Sequence, residues 1–169
     1  MNKNNLEIEH KFLIRYPRSE SFKTLPGYRE QKLLQIYTRL PDGSNCRIRK
    51  IEDFEGIRYI KTVKQDINSL TRIEIEEEIS KEDFEALALL RHENRRPIEK
   101  VRHSFTLSGF TYEVDIFPFW NDRAFLEIEV ESEDIKPPIP SFIEVIKEVT
   151  EDLRYRNSAL SREIITEEI

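Results

Sequence analysis

Glu7-Ile8-Glu9-His10-Lys11 decides the reading of this chain. Side chains alternate along a strand, so Glu7, Glu9 and Lys11 share one face, about 6.6 Å apart along the strand for each step of two residues. Two carboxylates and an ammonium in a row suit a divalent cation beside an anionic ligand. A single strand of this kind is also how a solvated sheet face is written. The pattern gains weight because it recurs outward along the chain.

Strands are expected at about residues 6–14, 33–40, 45–51, 57–64, 72–79, 98–107, 110–117 and 124–132, with the four glycines confined to connections. The pairs resemble hairpins, so the sheet should be largely antiparallel. Charge then repeats on one face. The third strand gives Arg47 and Arg49, the fourth Thr62 and Lys64, and the fifth Arg72, Glu74, Glu76 and Glu78. The sixth gives Lys100 and Arg102, the seventh Glu113 and Asp115, and the eighth Glu127, Glu129 and Glu131. The opposite faces are apolar, with Ile8, Phe12, Ile48, Val114, Leu126 and Ile128 among them. An antiparallel sheet with a wet outer face would account for any one strand. Like charges stacked within strand after strand are costly unless opposite strands, cations or ligands neutralise them. A closed barrel with its charged face inward meets that requirement: acidic strands would hold a metal, basic strands a polyanion, and the apolar face would pack outward under helices.

Two helices carry N-terminal signatures. Ser80 with Asp83 precedes Phe84, Leu87, Ala88 and Arg91 at helical spacing. Ser141 with Glu144 precedes Phe142, Val145, Ile146 and Val149. A third, short helix is expected near Asn157.

The 169 residues fit one domain spanning 1–169. Charged residues make up 36% of the chain, yet the hydrophobic 38% is periodic, which argues against disorder. The net charge of −6 divides unevenly, +6 over residues 1–64 and −12 over 65–169. Acidic balance and the lack of a Lys/Arg-rich block argue against nucleic acid as a partner. One cysteine, Cys46, excludes an internal disulfide and fits a reducing compartment. With no signal peptide and no long apolar run, a cytoplasmic protein without a membrane partner is expected. None of the three histidines joins the charged face, and Cys46 falls on the apolar one. A metal held by carboxylates alone would be Mg2+ or Mn2+ rather than Zn2+. Without a glycine-rich phosphate loop, phosphate would have to be held by Arg and Lys side chains.

These residues resemble the CYTH superfamily, the triphosphate tunnel metalloenzymes, in its short bacterial tripolyphosphatase-like group. Glu7-x-Glu9-x-Lys11 is similar to the E-x-E-x-K strand that defines the group. In order, Gln35-Ile36-Tyr37, Arg47-Ile48-Arg49, Thr62-Val63-Lys64 and Arg72-Ile73-Glu74-Ile75-Glu76 resemble its Q-G-Y, R-x-R, T-x-K and R-x-E-x-E steps. Glu99-Lys100-Val101-Arg102, Glu113-Val114-Asp115-Ile116-Phe117 and Leu126-Glu127-Ile128-Glu129 continue the likeness, and Glu148 to Asn157 is similar to its tail. Ile36 stands where the group has glycine, and Leu153 where a tail lysine is common, which would leave Arg154 or Arg156 to substitute.

The resemblance implies an α+β, mainly β, fold: an eight-stranded antiparallel closed barrel with a charged lumen and helices outside. It implies a metal-dependent triphosphatase that converts inorganic tripolyphosphate to pyrophosphate and phosphate. Glu7, Glu9, Glu129, Asp115, Glu74 and Glu76 would hold the metal. Lys11, Arg47, Arg49, Lys64, Arg72, Lys100 and Arg102 would grip phosphate, and Lys11, Tyr37, Lys100 and Glu127 would act in catalysis. The partner is then a small-molecule triphosphate, and the protein a monomer or homodimer. Alternatives on the same scaffold are a thiamine triphosphatase or class IV adenylate cyclase, for which Trp120 would be the stacking residue unless it merely anchors a loop. A third alternative is a non-catalytic polyphosphate-binding module.

Overall fold

The computed structural model describes residues 6–67 and 71–169, without the side chains of residues 6, 64–66 and 72. Nine strands form one antiparallel sheet: β1 (Leu6–Arg15), β2 (Arg29–Arg39), β3 (Asn45–Asp53), β4 (Gly56–Asp66), β5 (Thr71–Glu78), β6 (Ile98–Leu107), β7 (Phe110–Ile116), β8 (Arg123–Glu129) and β9 (Val145–Glu148). Their order is β5-β4-β3-β2-β6-β7-β8-β1-β9, and β1 also pairs with β5. Eight strands therefore succeed one another around a ring. The seam is short. β1 gives its residues Glu9–Arg15 to β8 and only Leu6, Glu7 and Ile8 to β5.

Hairpin chemistry explains why neighbours in sequence are so often neighbours in the ring. Ser108 and Gly109 join β6 to β7 with φ of 51° and 82°. Two successive positive φ values make the tight turn whose twist matches that of the flanking strands, and glycine takes the second at no steric cost. β2 begins four residues earlier than the sequence signals, because Arg29 to Lys32 pair in register with Ser104 to Val101 on β6.

Over β1 and β6–β8 the outward faces are apolar and lie under cover, whereas Ile57 and Ile75 on β4 and β5 are exposed. Phe12, Ile14, Phe105, Tyr112, Val114, Leu126 and Ile128 form one buried layer with Phe22 and Ile143, which come from the irregular stretches on either side. The helix α1 (Lys81–Ala88) lays Phe84 on Ile36, Cys46 and Ile48 of the β2–β3 pair. Ser80 caps it, its Oγ accepting from the Asp83 amide at 3.0 Å. The helix stops short of Arg91 because Leu90 and Arg91 turn to the end of β2, where the Arg39 amide donates to the Leu90 carbonyl. Cys46 is a buried packed thiol, as its position on the apolar face suggests.

The second expected helix is absent, and β9 stands in its place. Ile143 and Val149 are the buried positions, whereas Phe142 and Val145 are 44% and 37% exposed, so the helical stripe never forms. The backbone finds its partners on β1 instead: Arg15 donates to Glu144, and Val149 to Lys11. Glu144, the residue expected to complete the cap, instead faces Arg15 at 3.6 Å, and Glu148 joins His10 at 2.8 Å. Three prolines and a β-branched run favour extended chain here, and the edge of β1 supplies the ladder. Among the described residues, the cover over the barrel is thus α1, a short helix near the C-terminus and several loops.

Beyond β9 the chain makes a 3-10 turn (Leu153–Tyr155) and a short helix α2 (Asn157–Leu160), close to where a third helix is expected. Tyr155 and Leu160 pack with Leu13, Ile98, Phe117, Trp120 and Phe125. The inward positions of β1, β6, β7 and β8 are therefore charged along one stretch and apolar along the next. Among the described residues, no helix is long and apolar enough to cross a membrane.

Candidate active site in the barrel lumen

Period-two alternation places the charged residues in a single cavity of about 430 Å3. Ring order sorts them by sign. β3 and β6, which flank β2, contribute Arg47, Arg49, Lys100 and Arg102. The arc β7-β8-β1-β5 contributes Glu113, Glu127, Glu129, Glu7, Glu9, Glu74 and Glu76. β2 between the two basic strands is neutral on this side, with Gln35 and Tyr37, and Thr62 of β4 lies between the arcs. Lys11 is the one cation placed in the acidic arc among the described residues, and its Nζ meets Glu127 Oε1 at 2.8 Å.

A buried ion network joins the two arcs. Arg102 donates to both oxygens of Asp115, at 2.7 and 2.8 Å, and to Glu127 at 2.8 Å, and it also pairs with Glu113. Lys100 reaches Asp115 at 2.5 Å. Arg47 and Arg49 both turn to Glu76 across β4. Burial disfavours every one of these charges, and the partners decide the outcome. Burial is outweighed at Glu127, which Lys11, Arg102 and Lys100 hold well below the usual carboxylate range. At Lys100, burial with repulsion from Arg102 brings the ammonium down to about 8 despite Asp115. Burial, with Arg47 alongside, lowers Arg49 to about 10. Burial also pushes the Tyr37 phenol up to about 12, so that it remains a neutral donor and acceptor.

Among the described residues, carboxylates outnumber cations on the acidic arc. Glu9 lies directly opposite Glu129, and Glu113 opposite Glu127, pairings that repel. Burial and then Glu113 and Glu7 raise the Glu129 carboxyl, and burial raises Glu113. Glu7 Oε2 is buried with no hydrogen-bond partner. Oxygen-only donors under mutual repulsion suit a hard divalent cation, although among the described residues no group of three is already drawn together around a metal position.

Most of the expected residues meet in this cavity: Glu7, Glu9, Lys11, Tyr37, Arg47, Arg49, Glu74, Glu76, Lys100, Arg102, Glu127 and Glu129. Asp115 is different. It is fully buried, does not line the cavity, and has both oxygens engaged by Lys100 and Arg102. The side chains of Lys64 and Arg72 lie outside the described residues; their backbones register with Glu74 and Glu7. Trp120 anchors the apolar end, 6% exposed, and donates to the Ile165 carbonyl at 2.9 Å, so the lumen has no Trp platform. Leu153 is exposed and Arg154 is held by Asp152 and Glu167, whereas Arg156 lines the cavity. Arg95, Asn45 and Thr150 also line it and escaped the sequence reading. Arg95 and Thr150 sit in loops, where no strand alternation marks an inward face, and for Thr150 the only signal was its place in the tail motif; Asn45 opens β3 in phase with Arg47 and Arg49, so alternation did mark its face.

Comparison with known proteins agrees with this geometry. The chain is 34% identical over 159 residues to an inorganic triphosphatase of Acetivibrio thermocellus, covering 91% of this chain and 92% of that protein. It is 35% identical over 164 residues to an inorganic triphosphatase of Nitrosomonas europaea, covering 94% and 98%. A crystal structure of an inorganic triphosphatase superposes with a TM-score of 0.55 at 31% identity, over 94% of this chain and 95% of that one. No protein-family model matches the chain.

Proposed function

This chain belongs to the inorganic triphosphatase family of triphosphate tunnel enzymes, and from that premise we propose that it hydrolyses inorganic tripolyphosphate to pyrophosphate and phosphate with Mg2+ or Mn2+. The observation that carries the reading is the sorting of charge around one cavity, with Arg47, Arg49, Lys100 and Arg102 facing Glu7, Glu9, Glu113 and Glu129.

The basic arc binds and aligns the phosphate chain. Its arginines offer several fixed donors each, and these neutralise charge on the transferring phosphoryl group. Much of that charge is already balanced by Asp115, Glu76 and Glu127, which keeps the arc ordered before substrate arrives. Glu7, Glu9 and Glu129 are the residues that would hold the divalent cation, with Glu74 and Glu76 beside them. When bound, that ion supplies a Lewis acid and lowers the pKa of coordinated water. Lys100 and Lys11 would steady the leaving oxygen and Tyr37 would hold an end phosphate, while Glu127, bonded to Lys11 and Arg102, would keep both in position. Arg156 and Lys64 extend the grip on phosphate.

A release panel tests the proposal. Tripolyphosphate, thiamine triphosphate, ATP and pyrophosphate are each incubated with Mg2+ or Mn2+, with cyclic AMP assayed alongside. Tripolyphosphate should be the preferred substrate, EDTA should abolish release, and pyrophosphate should be poor. Glu9→Gln and Glu129→Gln should each lose at least about 100-fold in rate, about 2.7 kcal/mol of barrier, partly recovered at high metal concentration. Cyclic AMP formation without tripolyphosphate hydrolysis would overturn the assignment.

A further inference from the structure

His10 stands on the outer face of β1, 9% exposed, and both of its ring nitrogens are engaged. Nδ1 lies 2.8 Å from Oε1 of Glu148 on β9, and Nε2 lies 3.0 Å from the Ile135 carbonyl oxygen. The ring also stacks on Phe12, with centroids 6.3 Å apart. Glu148 Oε1 accepts a second bond, from the Thr150 hydroxyl at 2.9 Å. Burial opposes charge on Glu148, and the bonds from His10 and Thr150 outweigh it, which holds the carboxyl below its ordinary value. A carboxylate and a carbonyl can only accept, so both His10 nitrogens donate in this geometry.

Thr150 turns this outer contact inward. β9 ends at Glu148, and the next places on its side of β1 fall to Val149 and Thr150. The Val149 amide donates to the Lys11 carbonyl at 2.8 Å, and Thr150 Oγ1 accepts from the Lys11 amide at 2.9 Å. A side chain thus stands where a strand would offer a rigid carbonyl. A hydroxyl rotates unless its proton is committed, and donating to Glu148 commits it while leaving a lone pair for Lys11. Without Glu148 that proton has a competing acceptor, the Lys11 carbonyl at 3.4 Å. The Lys11 side chain leaves this backbone for the lumen, where Nζ lies 2.8 Å from Glu127 Oε1 and 4.1 Å from the centre of the Phe125 ring.

We infer that His10, Glu148 and Thr150 are positioning residues for Lys11: from outside the barrel, through the Lys11 amide, they place its ammonium for the reaction. The inference rests on the role proposed above for Lys11 at the leaving oxygen. His10 fixes Glu148, Glu148 fixes the Thr150 hydroxyl, and the hydroxyl fixes the strand at Lys11. Misplacing a reacting group by about 1 Å can cost ~100-fold in rate, so a small rotation of β1 at this point reaches the chemistry. None of the three has to touch substrate to do this.

The test measures kcat and KM for tripolyphosphate, with the denaturant midpoint, in His10→Phe, Glu148→Ala, Thr150→Val, Thr150→Ser and the Glu148→Ala/Thr150→Val double variant. His10→Phe, Glu148→Ala and Thr150→Val should each lose about 10-fold in kcat with KM little changed, as when only a transition-state contact weakens. Thr150→Ser keeps the hydroxyl and should retain most of the rate, and the double variant should lose no more than Thr150→Val. Lower stability with unchanged kcat in any of the first three, or additive losses in the double variant, would overturn the inference. Glu148 is half exposed, so Glu148→Ala should fold even if Thr150→Val does not. Proton–nitrogen NMR of the Lys11 ammonium needs no substrate: its shift should move in Glu148→Ala and stay in Thr150→Ser. If the parent does not hydrolyse tripolyphosphate, the triphosphatase reading fails and this shift alone decides the positioning: moved in Glu148→Ala it stands, unmoved it falls.

Discussion

Lys100 shows how burial sets chemistry one side chain at a time. Its ammonium titrates near 8, well below the usual lysine, because burial and Arg102 outweigh Asp115. In the free enzyme the charge proposed to steady a leaving oxygen is therefore lost as pH rises through about 8. A profile of kcat/KM should show an alkaline limb there, and Lys100→Arg, which stays charged, should move that limb to higher pH. Stability linked to this residue runs the other way. The unfolded chain keeps its proton to a higher pH, so between about 8 and the unfolded value this residue's contribution to stability rises. An alkaline limb unmoved in Lys100→Arg would remove the assignment. The residue pattern was legible in the sequence wherever alternation fixed the face, as for Glu7, Arg47 or Glu129. Asp115 has the same alternation as Glu113, yet it does not line the cavity. Period two gives the face of a strand but not the depth at which a side chain sits.

At the level of elements, Ser80 and Ser141 carry similar signatures and have different fates. Both read as helix starts from their neighbours in sequence. Only the segment after Ser80 finds an apolar bed for its stripe, on Ile36, Cys46 and Ile48. The segment after Ser141 lies beside the open edge of β1 and gains a ladder there. Local signals propose an element, and the nearest unpaired backbone decides it. The short stretch after β9 bears on function, because it both fills the apolar end of the barrel and carries Arg156 and Thr150 to the lumen. Tyr155 is its main anchor, 1% exposed. Truncation in Tyr155→Ala should cost about 3–5 kcal/mol of stability, read from a shifted denaturant midpoint, and should raise KM for tripolyphosphate. A stable variant with unchanged KM would show that the segment is held by other contacts.

For the whole molecule, the decisive feature was legible: strands with one charged and one apolar face close only one way at low cost. The ring order was not, because the pairing of β2 with β6 rather than with β1 joins residues far apart in sequence and leaves no local trace. That order creates the basic and acidic arcs. Crowded cations on one arc predict that a polyanion stabilises the fold. Tripolyphosphate at 100 times its dissociation constant should add about 2.7 kcal/mol, several degrees in melting temperature for a chain of this length. Sulfate at matched ionic strength should do much less, since it occupies one position along the arc. Calorimetric scans with Ca2+, or with Glu129→Gln so that the ligand survives, would read the difference. Equal shifts for the two anions would mean that the arc is solvated surface.

The alternation described for β1 has a meaning for inheritance. Odd positions from Glu7 to Lys11 face the lumen, and even positions such as Phe12 and Ile14 lie in the outer apolar layer. Neighbouring codons thus answer to different selection, one for what the protein grips and the next for whether it folds. A lineage can exchange one ligand for another by rewriting every second residue of a strand while the scaffold is left untouched.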